Sequence, residues 1–236
     1  MLEIKNLFVQ IQDKFLLEDI NLSISKDCVI MGPNGSGKTT LFKTITGIQA
    51  IKSGSISVRG DNISNLSIED RVKQYNIMMA FQRPVSIPGL SLLQMITHTV
   101  SNLKPEFPIT EIYTLTLQIA QSLKISELLT KSVNTDISGG ERKKAELLQL
   151  AVAQPQIALY DEIEAGVDID GIKDVISVIK SWDHQKIIIS HTAELALALD
   201  IKHCIVLNKN KIVAQGDESL ILAISQYGFK YVGISN

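Results

Sequence analysis

The run Gly32-Pro33-Asn34-Gly35-Ser36-Gly37-Lys38-Thr39-Thr40 has the residue types and the spacing to hold a triphosphate. It fits G-x-x-x-x-G-K-[ST]. Glycines let the backbone curl until several N–H groups face phosphate oxygens. The lysine adds a point charge on the β- and γ-phosphates, and the threonine hydroxyl can ligate Mg²⁺. On this reading Gly32, Asn34, Gly35, Ser36, Gly37, Lys38, Thr39 and Thr40 cradle the nucleotide, and Lys38 also serves the reaction. Two acids, Asp161-Glu162, follow the apolar Ile157-Ala158-Leu159-Tyr160. Side chains alternate along a strand, so the pair is expected to point apart. Asp161 is assigned to Mg²⁺ and Glu162 to polarising an attacking water. His191 stands just past another apolar run, Ile187-Ile188-Ile189. If strand ends gather at one ligand edge it can reach a γ-phosphate, and otherwise it is a surface histidine. Ser138-Gly139-Gly140-Glu141 has the S-x-x-E form of a capping box, with glycines that leave N–H groups open to an anion. The first loop already serves as the phosphate cradle. A second such helix start makes sense if it faces the nucleotide of another copy, with Asp168 at the same junction. Arg142, Lys143 and Lys144 read as a solvated helix face.

These residues need a particular set of elements to position them. Cys28-Val29-Ile30-Met31 is a short buried strand leading into the glycine loop, and Leu41–Ile48 reads as the helix after it. Residues 2–25 read as two strands. Leu2, Ile4, Leu7, Val9 and Ile11 alternate imperfectly, Asp13-Lys14 marks a turn, and Ile20, Leu22 and Ile24 alternate again. Gly54–Val58 and Ile77–Ala80 add strands, with Ser67 capping a helix between them. From Phe81 to about Thr135 the pattern changes to helices, one from Ser91 to Leu103 and one bearing Ile112, Leu115, Ile119 and Leu123. A broad apolar helix then runs from Ser138 to Pro155, and a later one places Ile169, Ile172, Val175, Ile176 and Ile179 on one face. Apolar strands alternating with helices predict a parallel core sheet covered on both faces. The tail adds strands at Cys204–Leu207 and Lys211–Ala214, then a helix from Asp217. The expected fold is α/β: one domain over residues 1–236, with an antiparallel β layer and a helical subdomain, about 84–153, inserted in the catalytic core.

The 236 residues carry 23 basic and 25 acidic side chains, a net charge of −2 that offers no general attraction to nucleic acid or anionic membrane. No apolar run approaches the roughly 18–20 residues needed to cross a bilayer. Cys28 and Cys204 fall in apolar strand-like runs, as expected of buried, reduced thiols in a cytoplasmic protein.

Together these features resemble the ATP-binding cassette family. The match is carried by Gly32–Thr40 as Walker A, Gln82 at the Q-loop and Ser138-Gly139-Gly140-Glu141 as the signature. Asp161-Glu162 match Walker B, Ala165-Gly166-Val167-Asp168 the D-loop, and His191 the switch histidine. The resemblance implies an ATP hydrolase with ATP and Mg²⁺ as cofactors. Gln82 would contact nucleotide and metal beside Thr39 and Asp161, and Ser138, Gly139 and Gly140 would contact nucleotide. It also implies a head-to-tail dimer of two copies that closes on ATP. A narrower resemblance is to the ATPases of SUF-type iron–sulfur cluster assembly. It lies in Met79–Gly89, in Lys131-Ser132-Val133-Asn134 before the signature, in Asp161–Asp170, and in Gln226–Phe229. That implies a SufB/SufD-like scaffold docking on the Q-loop and helical region, with no nucleic acid and no direct membrane insertion. An importer ATPase shares every catalytic element and is the alternative; an ATP-gated nucleic-acid clamp is a minor one. By spacing, the position that carries an adenine-stacking aromatic in many cassettes is Ile11, so base contacts are expected to be weaker.

Overall fold

The computed structural model describes residues 1–81 and 85–234. Its first unit comprises Met1–Met79, Leu159–Asp161 and the chain from Gln185 onward. It opens with β1 (Leu2–Ile11) and β2 (Lys14–Ile24), antiparallel around a turn at Gln12-Asp13. The uneven alternation in β1 has a local cause. Asn6 is left-handed (φ 46°), and the register shifts between Ile4 and Leu7, so Leu2, Ile4, Leu7 and Val9 all face inward. Ile11 falls outside that face and is 48% exposed.

The buried β3 (Cys28–Met31) leads to the glycine loop and α1 (Lys38–Ile45), which buries Leu41, Phe42 and Ile45. Burying a large apolar side chain is worth about 1.5–3 kcal/mol each. β4 (Ser53–Val58) joins the other side of β1, with β5 (Asp61–Asn62) at its edge, giving the order β2-β1-β4-β5. Next, α2 (Ile68–Tyr75) is capped by Ser67, whose hydroxyl oxygen accepts from Asp70 N–H, and it ends at left-handed Asn76. β6 (Ile77–Ala80) then enters the second unit.

That unit, Ala80–Ala158 with Glu162–His184, is mainly helical. β7 (Ile87–Ser91), where the prolines predicted only a break, pairs antiparallel with the distant β8 (Ser132–Val133). α3 (Leu92–Leu103) has a full capping box from Ser91 and Gln94. α4 (Ile109–Ser122) buries Ile112, Thr116, Ile119 and Ala120; Leu115 is only half-buried. α5 (Gly139–Ala153) packs with α3 and α4, and α6 (Ile169–Ile179) packs on α4 and α5. The expected apolar face of α6 needs correction. It buries Gly171, Val175, Val178 and Ile179, whereas Ile169 is 83% exposed. As the first residue after the cap it overhangs the packed turns.

β9 (Ile157–Asp161) returns the chain to the first unit, followed by β10 (Gln185–Ile189), the short α7 (Glu194–Ala198), β11 (His203–Asn208), β12 (Lys211–Gly216) and α8 (Glu218–Tyr227). The six-stranded sheet runs β12-β11-β3-β10-β9-β6. β3 is parallel to β10 and β11, and β12 is an antiparallel edge. Both cysteines are buried and free; burial pushes the Cys28 thiol far up and Cys204 up to about 12, so neither is a reactive thiolate.

Candidate active site

Close packing explains the glycines of the first loop. Gly32 has φ 147°, and a Cβ there would lie 2.1 Å from the Leu207 carbonyl oxygen at the end of β11. Gly37 has φ 102° and lies against Leu17 and the Leu16 carbonyl. Asn210 fastens the loop from the β11–β12 turn: its N–H donates to Ser36 O (3.2 Å) and its side chain to Phe15 O (3.0 Å). Glu18 N–H donates to Asn210 O (2.9 Å), so β2 braces the same turn.

Lys38 is buried, and its ammonium donates to Gly32 O (2.8 Å) and Pro33 O (2.9 Å), spanning the mouth of the loop. No side chain caps the amino end of α1, and its first turn carries no acid. Its N–H groups and dipole are thereby left for an anion. The Ser36 hydroxyl oxygen is buried without a hydrogen-bond partner among the described residues, a polar atom that a ligand oxygen would satisfy. Thr39 is half-buried as the second residue of α1, and Asn34 and Gly35 are exposed.

The sheet register sets the neighbours. Ile30 pairs with Ile189, so Gly32 and His191 stand equal steps beyond a paired position on adjacent parallel strands. His191 is exposed there. Asp161 is the fully buried last residue of β9, the strand beside β10. A hydroxyl at Thr39 and a carboxylate at Asp161 are hard oxygen donors, which suits Mg²⁺. Gln82 lies outside the described residues. Glu162 departs from the expected strand alternation: it is half-buried and left-handed (φ 51°), so the chain has already left the strand at this residue.

The second unit assembles the signature. Ser138 N–H donates to Glu141 Oε2 (2.7 Å) and Glu141 N–H donates to Ser138 Oγ (3.2 Å); hydrogen bonding from the Ser138 backbone N–H, and then from its hydroxyl, holds the Glu141 carboxyl below its usual range. A Cβ on Gly140 would come 2.8 Å from Gly166 O, so the signature and the D-loop touch through backbone. Between them lies a cavity of about 200 Å³ lined by Ser138, Gly140, Lys144, Gly166, Val167 and Asp168. Asp168 caps α6 by accepting from Gly171 N–H at 2.6 Å.

The basic run after the signature is not a solvated face. Lys143 is 4% exposed and donates to Phe81 O (3.1 Å). Lys144 donates to Leu123 O (3.0 Å) with Asp174 nearby, and Arg142 donates to Ile137 O (3.2 Å). Glu146, one turn beyond Lys143, is 6% exposed and accepts from Phe81 N–H (3.3 Å). Both backbone groups of Phe81 are therefore held by α5. On the far side of the undescribed Gln82–Pro84, Asn134 donates to Val85 O (2.9 Å) and accepts from Ser86 Oγ (2.7 Å). The signal for this clamp was a glutamate interrupting an apolar run, Ala145-Glu146-Leu147-Leu148.

Burial raises the Glu146 pKa from its ordinary 4.5. A raised acid supports the fold fully below its unfolded value and loses that contribution as pH climbs through its folded value. Glu146→Gln keeps an acceptor for Phe81 and does not ionise. The melting temperature of the wild type relative to this variant is expected to fall as pH rises from below 4.5 toward neutrality. A pH-independent gap in thermal melts would contradict the assignment.

A family model described as ABC transporter matches residues 17–165. This chain belongs to the ABC transporter ATPase family. It is therefore an ATP-binding cassette and an ATP hydrolase. An Escherichia coli protein named probable ATP-dependent transporter SufC is 34% identical over 98% of each chain. A probable ATP-dependent transporter of Synechocystis is 33% identical over 98% of this chain and 95% of its own. Among solved structures, a nucleotide-free ATP-binding cassette from an ABC transporter covers 100% of this chain and 99% of its own, at a TM-score of 0.79 and 23% identity. A dimeric ATP-binding cassette bound to ADP and Pi, at 0.81 and 18% identity, covers 92% and 98%. These two establish the cassette fold: a parallel core, antiparallel strands and helices. Among the described residues no helix is long and apolar enough to cross a membrane.

Proposed function

We propose that this cassette is the ATPase of a SUF-type iron–sulfur cluster assembly system. Two copies close head to tail around ATP, and closure reshapes a SufB/SufD-like scaffold docked on the Q-loop and helical region. The observation that carries the reading is 34% identity to SufC across 98% of both chains. It is supported by the SUF-like segments Met79–Gly89, Lys131–Asn134 and Asp161–Asp170. The two units then act as one cassette domain, with residues about 84–153 as its helical insertion and the cytoplasm as its compartment.

Each residue has a role in this proposal. The loop Gly32–Thr40 binds the phosphates through backbone N–H groups and the Lys38 ammonium. Glu162 orients water and takes its proton as the oxygen attacks the γ-phosphorus, and the bond from that phosphorus to the β–γ bridging oxygen breaks to release ADP and inorganic phosphate. His191 hydrogen-bonds the γ-phosphate. Ser138, Gly139 and Gly140 reach the nucleotide held by the other copy. Thr39 and Asp161 would hold Mg²⁺, joined by Gln82, and the ion would neutralise charge on the β- and γ-oxygens. One observation favours a second reading, an importer ATPase: the SufC and Synechocystis relatives are both named as transporters.

Affinity purification of the native complex separates the two. Recovery of a soluble scaffold supports the proposal, and recovery of a multi-spanning permease replaces it with the importer.

A further inference from the structure

Arg71 is 2% exposed, yet its guanidinium meets carbonyl oxygens rather than an acid. Nη1 donates to Thr44 O (2.7 Å) and Ile45 O (2.8 Å), the last carbonyls of α1. Nη2 donates to Ser64 O (2.8 Å) and Nε to Leu66 O (3.2 Å), which ties the helix to the segment before α2. Four of the five guanidinium donors are thus placed. Gly47 makes the room: its φ is +84°, and a Cβ there would lie 3.1 Å from Arg71 Nε. Ser64 anchors the segment in turn, its hydroxyl accepting from Ile56 N–H in β4 (2.9 Å).

We propose that Arg71 is a positioning residue for ATP binding, fixing the phosphate-binding helix from the end opposite the phosphates. The inference rests on reading Gly32–Thr40 as the triphosphate cradle. α1 has eight residues, a length that is marginal alone in water. Its first two residues are Lys38 and Thr39, and its last turn is the one that Arg71 holds. A cation at a helix C-terminus is favourable, and this one is desolvated and forked across two of the terminal carbonyls. Holding that turn sets the pitch at the amino end, about 12 Å away at 1.5 Å per residue. Arg71 lies in the same unit as the loop Gly32–Thr40, and its four carbonyl partners all lie outside that loop.

Arg71→Lys keeps the charge but not the fork. Assayed well below its melting temperature, it should raise the KM for ATP by about tenfold, the size of one weakened charge-assisted hydrogen bond. The kcat at saturating ATP should be retained, because a contact made equally to substrate and transition state changes KM alone. In Arg71→Ala, millimolar guanidinium should restore affinity for a fluorescent ATP analogue, and equal ammonium should not. Wild-type KM in folded Arg71→Lys overturns the proposal, as does a folded Arg71→Ala that guanidinium leaves unchanged. If Arg71→Ala does not fold, the KM of Arg71→Lys decides alone.

Discussion

Glu162→Gln is expected to slow ATP hydrolysis by roughly 10²–10⁴-fold, the usual share of a general base. Glutamine matches glutamate in size and can still hydrogen-bond water, but it cannot accept the proton that water loses. The backbone tolerates the exchange as well as it tolerates the native residue. Glu162 sits at φ 51°, just past the end of β9, and the cost of that conformation is nearly the same for both side chains. Binding should survive, since in the proposal Gly32–Thr40, His191 and the signature hold the nucleotide and Glu162 acts on the water. Steady-state phosphate release measures the rate, and an equilibrium titration measures ATP affinity. Turnover equal to wild type would remove Glu162 from the proposed role.

Lys38→Ala should strike the earlier step. The buried ammonium bridges Gly32 O and Pro33 O, and in the proposed complex it trades carbonyl acceptors for phosphate oxygens. A hydrogen bond to a charged group contributes about 1.5–3 kcal/mol, so affinity should fall about 10- to 150-fold. Calorimetric titration with a non-hydrolysable analogue reads the loss directly. Lys38→Arg, which keeps the charge in a bulkier form, controls for collapse of the loop. Wild-type affinity in Lys38→Ala would refute the phosphate assignment.

Legibility in the sequence followed the range over which each feature is determined. The strand–glycine loop–helix unit is local, and Cys28–Met31 and Ile77–Ala80 emerge as strands with the boundaries that their apolar runs indicate. The cap at Ser67 and the capping box at Ser138 are local too. Three features were not legible. The bulge at Asn6 depends on partner strands on both sides of β1. The backbone reversal at Glu162 is set by the exit from β9, and the strand-alternation rule stops applying there. The charged groups misread as solvent-facing, or not singled out, find partners far along the chain. Arg71 reaches Thr44 across 27 positions, Lys143 reaches Phe81 across 62, and Glu146 reaches Phe81 across 65. A helix wheel assigns such residues to water; only folding supplies the backbone carbonyls, and for Glu146 the N–H, that let them be buried.

The claim on which the mechanism depends is that ATP joins two copies, each completing the other's pocket. Light scattering on size-exclusion fractions of Glu162→Gln, with and without ATP and Mg²⁺ and with the proposed scaffold present, tests it most directly. The account predicts that two copies of the cassette associate only when nucleotide is bound. A single copy in both conditions would contradict it.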